Sequence, residues 1–279
     1  MIHIIIPVHN RRELTRNCLA CLKRQTFTDF KCVVINDGSS DGTGDMVRNE
    51  FPDVVLLSGD GNLWWTKSVN LGIKSVLPGC KKEDFILTLN DDVEIRDDFL
   101  ANIVKCAGNN PGLLIGALAI DIKSGNITFP VMKNKGCKLP EGQEAIKMDM
   151  LVGRGMLIPV PVFEKIGFFD EALPQSAADE DFSINAKKAG FDLIVCAKSV
   201  VYANESKEEK MRLYIINPIE YAKWIFAIKN PFNIRTRYIF NRKHSRFWVV
   251  SFTRDLLIIF VRYFRNVFNR LLVIAGVKK

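Results

Sequence analysis

Short apolar segments alternate with helical patterns over the first 120 residues, and this alternation constrains the possible folds more than any other feature. The apolar segments lie at His3–Pro7, Lys31–Ile35, Val54–Leu57, Phe85–Leu89 and Leu113–Ala117. The segments with helical spacing lie between them, at Arg12–Arg24, Thr43–Asn49, Thr66–Val76 and Asp98–Cys106. Apolar strands that alternate with helices are typical of βαβ units. The sequence therefore predicts an α/β fold with a mostly parallel sheet, whose strand C-termini meet at one edge.

The alternation breaks after residue 120, which predicts a second half of the same domain. Glycine and proline residues mark irregular chain, at Gly125, Pro130, Gly136, Pro140 and Gly142. An apolar run, a helix and a strand follow, at Met150–Ile158, Asp179–Lys188 and Asp192–Val201. We therefore divide the chain into residues 1–120, residues 121–210 and a C-terminal region of residues 211–279.

The net positive charge of the chain is concentrated in its C-terminal part. Residues 205–279 hold 16 Lys and Arg against 5 Asp and Glu, a balance of +11, whereas the whole chain has a net charge of +8. In Phe252–Ile274 the polar residues occupy roughly a 160° arc of a helical projection. The longest uncharged run, Leu256–Val261, is far shorter than the ~20 residues that span a bilayer. We expect residues 246–279 to bind the membrane surface, and a helix that packs on the body or on a second subunit is the alternative.

The remaining composition indicates a cytoplasmic protein. The N-terminal apolar run is too short for a signal peptide and has no basic leader. The seven cysteines are odd in number and scattered, and Cys18 and Cys21 have no second pair with which to bind zinc. The basic residues lie beside Leu and Ile on an amphipathic pattern, so we expect no nucleic-acid partner.

Polar residues follow three strands that the parallel sheet would place together. The apolar strand Phe85–Leu89 is followed directly by Asn90, Asp91 and Asp92. His9, Asn10 and Arg11 follow the first strand, and Asn36 to Thr43 end the second. Two adjacent carboxylates at a buried strand end require a counter-charge, and Mg²⁺ or Mn²⁺, which prefer oxygen ligands, fits this role.

Two of the polar segments also have ordinary structural explanations. Asp37 to Gly42 can be a simple turn, and its glycines match neither a dinucleotide fingerprint nor a P-loop. Asp179, Glu180 and Asp181 can be acidic residues that favour a helix N-terminus. In a cleft, however, such a carboxylate is also a candidate general base.

Five segments resemble, in order, the motifs of the inverting family 2 glycosyltransferases with the GT-A fold. They are residues 6–11, 35–43, 90–92, 153–159 and 178–182. The resemblance extends from residue 2 to about residue 204. It implies a Rossmann-like sheet with a nucleotide-sugar-binding half at residues 1–120 and an acceptor-binding half at residues 121–210.

The resemblance also implies roles for individual residues. Asp179 matches the catalytic base, and Asp92, with Asn90, matches the metal ligands. The residues implied at the nucleotide are Pro7, Val8, His9, Asp37, Ser39, Lys67 and Asp91. The residues implied at the donor or acceptor sugar are Trp64, Trp65, Gly153, Arg154, Gly155 and Asp181. Asn90 stands where the DxD motif has its first Asp, and Asn204 stands near a position where the family often has His.

The implied function is the transfer of one sugar, with inversion, from a nucleotide-diphospho-sugar to an acceptor hydroxyl. A lipid-linked glycan at the inner face of the cell membrane, in surface-polysaccharide synthesis, is the expected acceptor. A sugar-1-phosphate nucleotidyltransferase is an alternative, but it would show a glycine-rich basic loop after the first strand. A catalytically silent sugar-binding protein on the same scaffold is another, although the chain retains both Asp92 and Asp179.

Overall fold

A computed structural model describes residues 1–129, 144–204 and 216–274, with side chains to residue 272. These residues form two compact units. The larger unit comprises the described part of Met1–Glu171 together with Ala178–Asn204, and the smaller comprises Ala172–Ala177 and the described part of Glu205–Lys279. The predicted irregular positions Pro130, Gly136, Pro140 and Gly142 lie outside the described residues, and so do the last five residues of the predicted membrane-binding segment. The division at residue 120 stays a prediction.

The larger unit is built on one ten-stranded sheet. Its strands are β1 (Ile2–Val8), β2 (Phe30–Asp37), β3 (Val55–Gly59), β4 (Phe85–Thr88), β5 (Val93–Ile95), β6 (Leu114–Asp121), β7 (Ile127–Phe129), β8 (Ala145–Met148), β9 (Met156–Pro159) and β10 (Leu193–Ala203). Its helices are α1 (Arg12–Lys23), α2 (Thr43–Glu50), α3 (Trp64–Val76), α4 (Phe99–Asn109), α5 (Val160–Ile166) and α6 (Ala178–Lys188). The main strand order is β3-β2-β1-β4-β9-β6-β10-β5, with β7 on β6 and β8 on β10.

The first half of the sheet is parallel, as the alternation predicts. Strand β1 pairs in parallel with both β2 and β4, and β2 pairs in parallel with β3. The central residues Ile4, Ile5 and Ile6 are fully buried. Helix α3 approaches this sheet closely at Gly72, where a Cβ atom would lie 2.6 Å from the Ile5 side chain. The predicted α/β class is confirmed, and the C-termini of β1, β2 and β4 lie side by side.

The second half adds antiparallel strands, which the sequence pattern did not reveal. The buried strand β9 lies between β4 and β6 and is antiparallel to both. Strands β6 and β10 are parallel, whereas β5 and β8 pair antiparallel with β10. The predicted strands near residues 113 and 192 correspond to β6 and β10.

The described part of the smaller unit contains α7 (Pro218–Phe226), α8 (Ile234–His244) and α9 (Trp248–Ile274). The Asn217 and Asn233 side chains cap the N-termini of α7 and α8. The buried Tyr221 hydroxyl donates to the Ile259 carbonyl at 2.7 Å, which joins α7 to α9. Asn241 Nδ2 donates to Asp255 Oδ2 at 2.8 Å, which joins α8 to α9. The predicted amphipathic segment therefore lies within one long helix.

Candidate active site

The polar segments after β1, β2 and β4 meet at one edge of the sheet. The strand register pairs Val8 with Asn36, so β1 and β2 end at nearly the same level. Thr88, the last residue of β4, pairs with Ile5, so Asn90, Asp91 and Asp92 follow β4 beside the end of β1. The His9 Nδ1 atom lies 2.5 Å from the Asp37 carbonyl oxygen. The prediction that these three strand ends share one region is confirmed.

Arg11 supplies a counter-charge for the acidic end of β4. Its Nη1 donates to Asp91 Oδ1 at 3.1 Å and to Asp92 Oδ2 at 2.8 Å. Burial raises the pKa of Asp91 to about 7, although Arg11 opposes this shift, and Asp92 adds to it. Arg11 is not among the site residues predicted from the sequence. One signal in the sequence could have identified it. It is a basic residue just after β1, and both neighbours of β1 in the sheet, β2 and β4, lead into aspartates.

Asp91 and Asp92 differ in their access to solvent. Asp91 is 5% exposed, and its Oδ2 atom has no hydrogen-bond partner among the described residues. The side chain of Asp92 is 34% exposed. Asp92 is therefore the more accessible carboxylate, and Asp91 has a buried oxygen to which no described residue donates.

Asn90 contacts one of the two predicted tryptophans. Its Oδ1 accepts a hydrogen bond from Trp65 Nε1 at 3.1 Å. The half-buried Trp65 ring also meets the Phe169 ring edge-on, with centroids 5.4 Å apart. Trp65 therefore belongs to the packing beneath the site, and the amide oxygen predicted as a metal ligand is engaged with its indole.

Asp37 organises the loop that leads into α3. Its Oδ1 accepts from the Gly61 N–H at 2.7 Å, and its Oδ2 accepts from Leu63 at 2.9 Å and Trp64 at 3.0 Å. Trp64 has a φ of 57°, in the left-handed region that is unfavourable for a bulky residue. The buried carboxylate offsets this strain by fixing the backbone on both sides of it. Contact with a nucleobase stays a prediction for Asp37.

We expect Asp37→Ala to destabilise the protein by about 2–4 kcal/mol, because three backbone N–H groups lose a charged acceptor. Urea unfolding measures this effect. Asp60→Ala is the matched control in the same loop, since exposed Asp60 accepts one N–H, from Asn62. The control should cost less than about 1 kcal/mol. Equal losses for the two variants would contradict the assigned role.

Ser39 lies in the loop after β2, which is hydrogen-bonded to the loop after β1. Its Oγ accepts from the Asn10 N–H at 2.9 Å, and Asn10 Oδ1 accepts from the Ser40 N–H at 2.8 Å. Asp41 accepts from the Arg12 N–H at 2.9 Å and from the Thr43 N–H at 3.1 Å. Asn10 and Asp41 therefore fix the loops after β1 and β2 against each other, and neither is among the site residues predicted from the sequence.

A chain of hydrogen bonds connects Asp179 to the end of β4. Asp179 Oδ2 accepts from the Gly153 N–H at 2.6 Å, and the Gly153 carbonyl accepts from Thr88 Oγ1 at 2.7 Å. Thr88 is the last residue of β4, two positions before Asn90. The Thr88 carbonyl in turn accepts from the Gly155 N–H at 2.9 Å. The 153–155 loop thus joins the start of α6 to the strand that carries Asp91 and Asp92.

Gly153 is required by the close packing of this loop. A Cβ atom at this position would lie 2.4 Å from Trp65 Cζ2 and 3.4 Å from Asp179 Cβ. Trp65 therefore touches the loop on one side and donates to Asn90 on the other. Four predicted residues thus form one connected structure: Asn90, Trp65, Gly153 and Asp179.

The half-buried Asp179 carboxylate is the strongest candidate for a catalytic group. Burial raises its pKa, while the N–H groups of Gly153 and Glu180 and the charge of Arg154 oppose the rise. Asp181, two residues later, is 2% exposed, and its Oδ2 accepts from Asn185 Nδ2 at 3.2 Å. The structure therefore buries Asp181 in α6 and leaves Asp179 as the more accessible of the two.

The other predicted nucleotide residues differ in accessibility. Val8 is buried at the end of β1, and Pro7 before it is half-buried. Lys67 is exposed on the first turn of α3. Contact of these side chains with a nucleotide stays a prediction.

The curated relatives of this chain are glycosyltransferases. An uncharacterized glycosyltransferase of Rickettsia bellii is 24% identical over 218 residues, which cover 75% of this chain and 31% of the relative. A GalNAc(5)-diNAcBac-PP-undecaprenol beta-1,3-glucosyltransferase of Campylobacter jejuni is 26% identical, over 54% of this chain and 47% of the relative. The chain thus spans about half or less of the length of these relatives.

Solved structures show the same fold. Residues 1–349 of S. aureus TarS, in complex with UDP-GlcNAc, are 17% identical with a TM-score of 0.58, over 94% of this chain and 81% of that TarS segment. The mannosyltransferase PcManGT of Pyrobaculum calidifontis, with GDP-Man and Mn²⁺, is 15% identical with a TM-score of 0.55, over 92% and 74% of the two chains. The predicted GT-A fold class is confirmed. The model of glycosyl transferase family 2 matches residues 3–167, and the chain belongs to this family.

Proposed function

We propose that this protein transfers one sugar from a nucleotide-diphospho-sugar to an acceptor hydroxyl, with inversion at the anomeric carbon. The observation that carries the proposal is the hydrogen-bonded path from Asp179 through Gly153 to Thr88. This path fixes a base candidate on the same sheet edge as Asp91 and Asp92. The nucleotide sugars in the TarS and PcManGT structures support a donor of this class.

Asp179 is suited to remove the acceptor proton. Each of its carboxylate oxygens accepts one backbone N–H, from Gly153 or Glu180, and retains a second lone pair for a proton. The raised pKa of Asp179 brings the carboxylate closer to the range of an effective general base. As the acceptor O–H proton moves to Asp179, the oxygen forms a bond to the anomeric carbon. The bond from that carbon to the diphosphate breaks, and its electron pair leaves with the nucleoside diphosphate.

The residues at the end of β4 fit a divalent cation. Asp91 Oδ2 is a buried oxygen without a hydrogen-bond partner among the described residues, and Asp92 is a neighbouring accessible carboxylate. Two carboxylates that share the ion with phosphate oxygens and water suit Mg²⁺ or Mn²⁺. When bound, the ion offsets the charge that develops on the leaving diphosphate. Arg11 supplies positive charge at the same place and holds both carboxylates in position.

The stereochemical outcome provides the test of this mechanism. NMR of the first-formed product should show an anomeric configuration opposite to that of the donor, because a single displacement inverts it. Incubation of sugar-1-phosphate with a nucleoside triphosphate, which would reveal a nucleotidyltransferase, should give no nucleotide sugar. Retention of configuration would contradict the direct role of Asp179.

We further propose that the smaller unit binds the inner membrane surface, where a lipid-linked acceptor lies. Helix α9 exposes apolar side chains along its length, at Val249, Val250, Leu257, Ile258, Phe260, Val261, Phe264, Phe268 and Leu271. A groove of about 280 Å³ on α9 is lined by Arg254, Arg262 and Arg265 beside Leu257, Ile258 and Val261. Apolar side chains flanked by arginines suit the interface of an anionic bilayer. Within the described residues, no helix has the length and hydropathy needed to cross a membrane.

The name of the Campylobacter relative supports an acceptor of this kind, since it specifies an undecaprenyl-diphosphate-linked glycan. A lipid-linked glycan remains at the bilayer, so a transferase held at the surface meets it at a high local concentration. We therefore place the protein at the cytoplasmic face of the cell membrane, in the synthesis of a surface polysaccharide.

We expect Phe264→Glu to weaken binding to anionic vesicles by roughly tenfold or more, because it removes an inserted ring and adds a repelled charge. Co-sedimentation with phosphatidylglycerol vesicles measures the effect. Asn109→Glu is the matched control, since Asn109 is an exposed polar residue of α4 in the larger unit and the variant adds the same charge outside α9. If the wild-type protein does not sediment with these vesicles, or both variants lose the same affinity, the membrane proposal fails.

A further inference from the structure

Three side chains with metal-binding atoms lie together at the edge of the sheet opposite the candidate active site. His3 is near the start of β1, Asp84 precedes β4, and Cys80 follows the 3-10 helix Leu77–Gly79 that ends α3. Because β1 and β4 are parallel neighbours, their first residues share this edge. One ligand atom from each of the three residues lies within 4.8 Å of the other two.

His3 is the most unusual member of this group. It is 5% exposed, and neither ring nitrogen has a hydrogen-bond partner among the described residues. Buried imidazoles are ordinarily hydrogen-bonded, because an unsatisfied polar group loses its interactions with water and gains none in the protein. Burial lowers the pKa of His3, against the nearby charge of Asp84, so the ring is neutral and able to ligate a metal.

Asp84 and Cys80 are held in place around His3. Asp84 Oδ2 accepts from the Lys81 N–H at 2.8 Å, which orients the carboxylate. Its Oδ1 lies 3.1 Å from the Met1 ammonium, which occupies the position of a cation. The half-buried Cys80 Sγ donates to the Val76 carbonyl at 3.3 Å. A thiol, a carboxylate and an unsatisfied imidazole thus converge at one point.

We propose that His3, Cys80 and Asp84 bind one transition-metal ion, with Zn²⁺ as the best fit. Nitrogen, sulfur and oxygen ligands together suit Zn²⁺, and three protein ligands leave a fourth position for water. Ligand atoms of a tetrahedral zinc site lie about 3.5 Å apart, so the group must contract by at most about 1.3 Å. Upon binding, Cys80 loses its proton to solvent, and the Met1 ammonium leaves Asp84 Oδ1.

Such an ion would connect the starts of β1 and β4, the strands whose other ends carry the candidate active site. It would also fix the turn that joins α3 to β4. The site is thus expected to be structural and to stabilise the folded protein. It is separate from Asp91 and Asp92, and it does not depend on the proposed function.

Co²⁺ titration of the full chain, after removal of metal with a chelator, tests the proposal. Co²⁺ is spectroscopically visible, and a thiolate ligand gives a charge-transfer absorption. We expect this absorption to saturate at one equivalent and to disappear when Zn²⁺ is added. Cys80→Ser should abolish it, and His3→Asn should weaken Co²⁺ binding at least tenfold.

Two controls separate this site from the others. Cys106→Ser removes a cysteine that lies near Cys196, and Asp92→Asn alters the candidate active site, so both variants should keep the absorption. The proposal is overturned if stoichiometric Co²⁺ gives no thiolate absorption, or if the absorption survives in Cys80→Ser. Should that variant fail to fold, alkylation of Cys80 in the wild-type chain decides the matter. Zn²⁺ should slow alkylation at least tenfold, and an unchanged rate would refute the site.

Discussion

The Asp179→Asn variant is expected to lose sugar transfer by a factor of about 10²–10⁴ in kcat, the range of a general base, while it retains affinity for the donor. The substitution removes the proton acceptor but leaves an amide oxygen that can accept from Gly153 or Glu180. The 153–155 loop and its connection to Thr88 should therefore persist. Steady-state kinetics and calorimetric titration of the donor together measure the two effects.

Glu180→Gln is the matched control for this prediction. Glu180 is a half-buried carboxylate in the same first turn of α6, so its replacement tests the effect of a lost negative charge at the helix start. This variant should keep most of the activity. If Asp179→Asn turns over normally, or if Glu180→Gln is the inactive variant, Asp179 is not the base.

The Asp92→Asn variant is expected to lose about 10²-fold or more in kcat/KM and to bind Mn²⁺ at least tenfold more weakly. Asp92 is the accessible carboxylate of the pair, and loss of its charge removes an ionic ligand and an ion pair with Arg11. Activity with graded Mn²⁺ and direct titration of the ion measure the change. A chelator should inactivate the wild-type protein in the same assay.

Asn90→Asp provides the opposite change at the neighbouring position. A carboxylate can still accept the hydrogen bond from Trp65 Nε1, so the packing beneath the site should remain intact. The added charge should tighten Mn²⁺ binding, because it supplies the acidic residue that the DxD motif has there. Full activity of the wild-type protein in excess chelator would rule out the metal prediction for Asp92.

Local sequence patterns were sufficient to predict the parallel half of the fold. Strands such as β1 and β4 are buried on both faces, and this burial produces uninterrupted apolar segments between helices. The antiparallel strand β9 was not predicted, because the apolar run 150–158 contains no information about its direction or its partners. Strands β5, β7 and β8 have three or four residues, which is too short for a periodic pattern.

The sequence was sufficient to predict which strand ends meet at the site, but not the contacts that form there. The positions of Asp91 and Asp92 follow from the order of the parallel strands. The ion pairs of Arg11 do not, because they depend on how the chain turns after Val8. Likewise, the sequence marks Asp37 as a polar residue at a strand end, but its bonds to Gly61, Leu63 and Trp64 arise from a loop 24 to 27 residues later.

The role of Trp65 illustrates the same limit. A pair of tryptophans in the sequence predicts one packed ring and one functional ring without distinguishing them. The structure assigns Trp65 to the packing between Asn90 and Gly153, through its indole hydrogen bond and its contact with the loop. These two contacts join Trp65 to residues that lie 25 and 88 positions later in the sequence, so no local pattern predicts them.

Release of nucleoside diphosphate from a panel of nucleotide sugars tests the central claim most directly. The wild-type protein, with Mn²⁺ and vesicles that contain an undecaprenyl-diphosphate-linked glycan, should release the diphosphate from at least one donor, and the sugar should appear on the glycan. The Asp179→Asn variant should bind the same donor and release the nucleoside diphosphate at least about 10²-fold more slowly. If no nucleotide sugar binds and none is consumed, the protein is not a nucleotide-sugar-dependent glycosyltransferase.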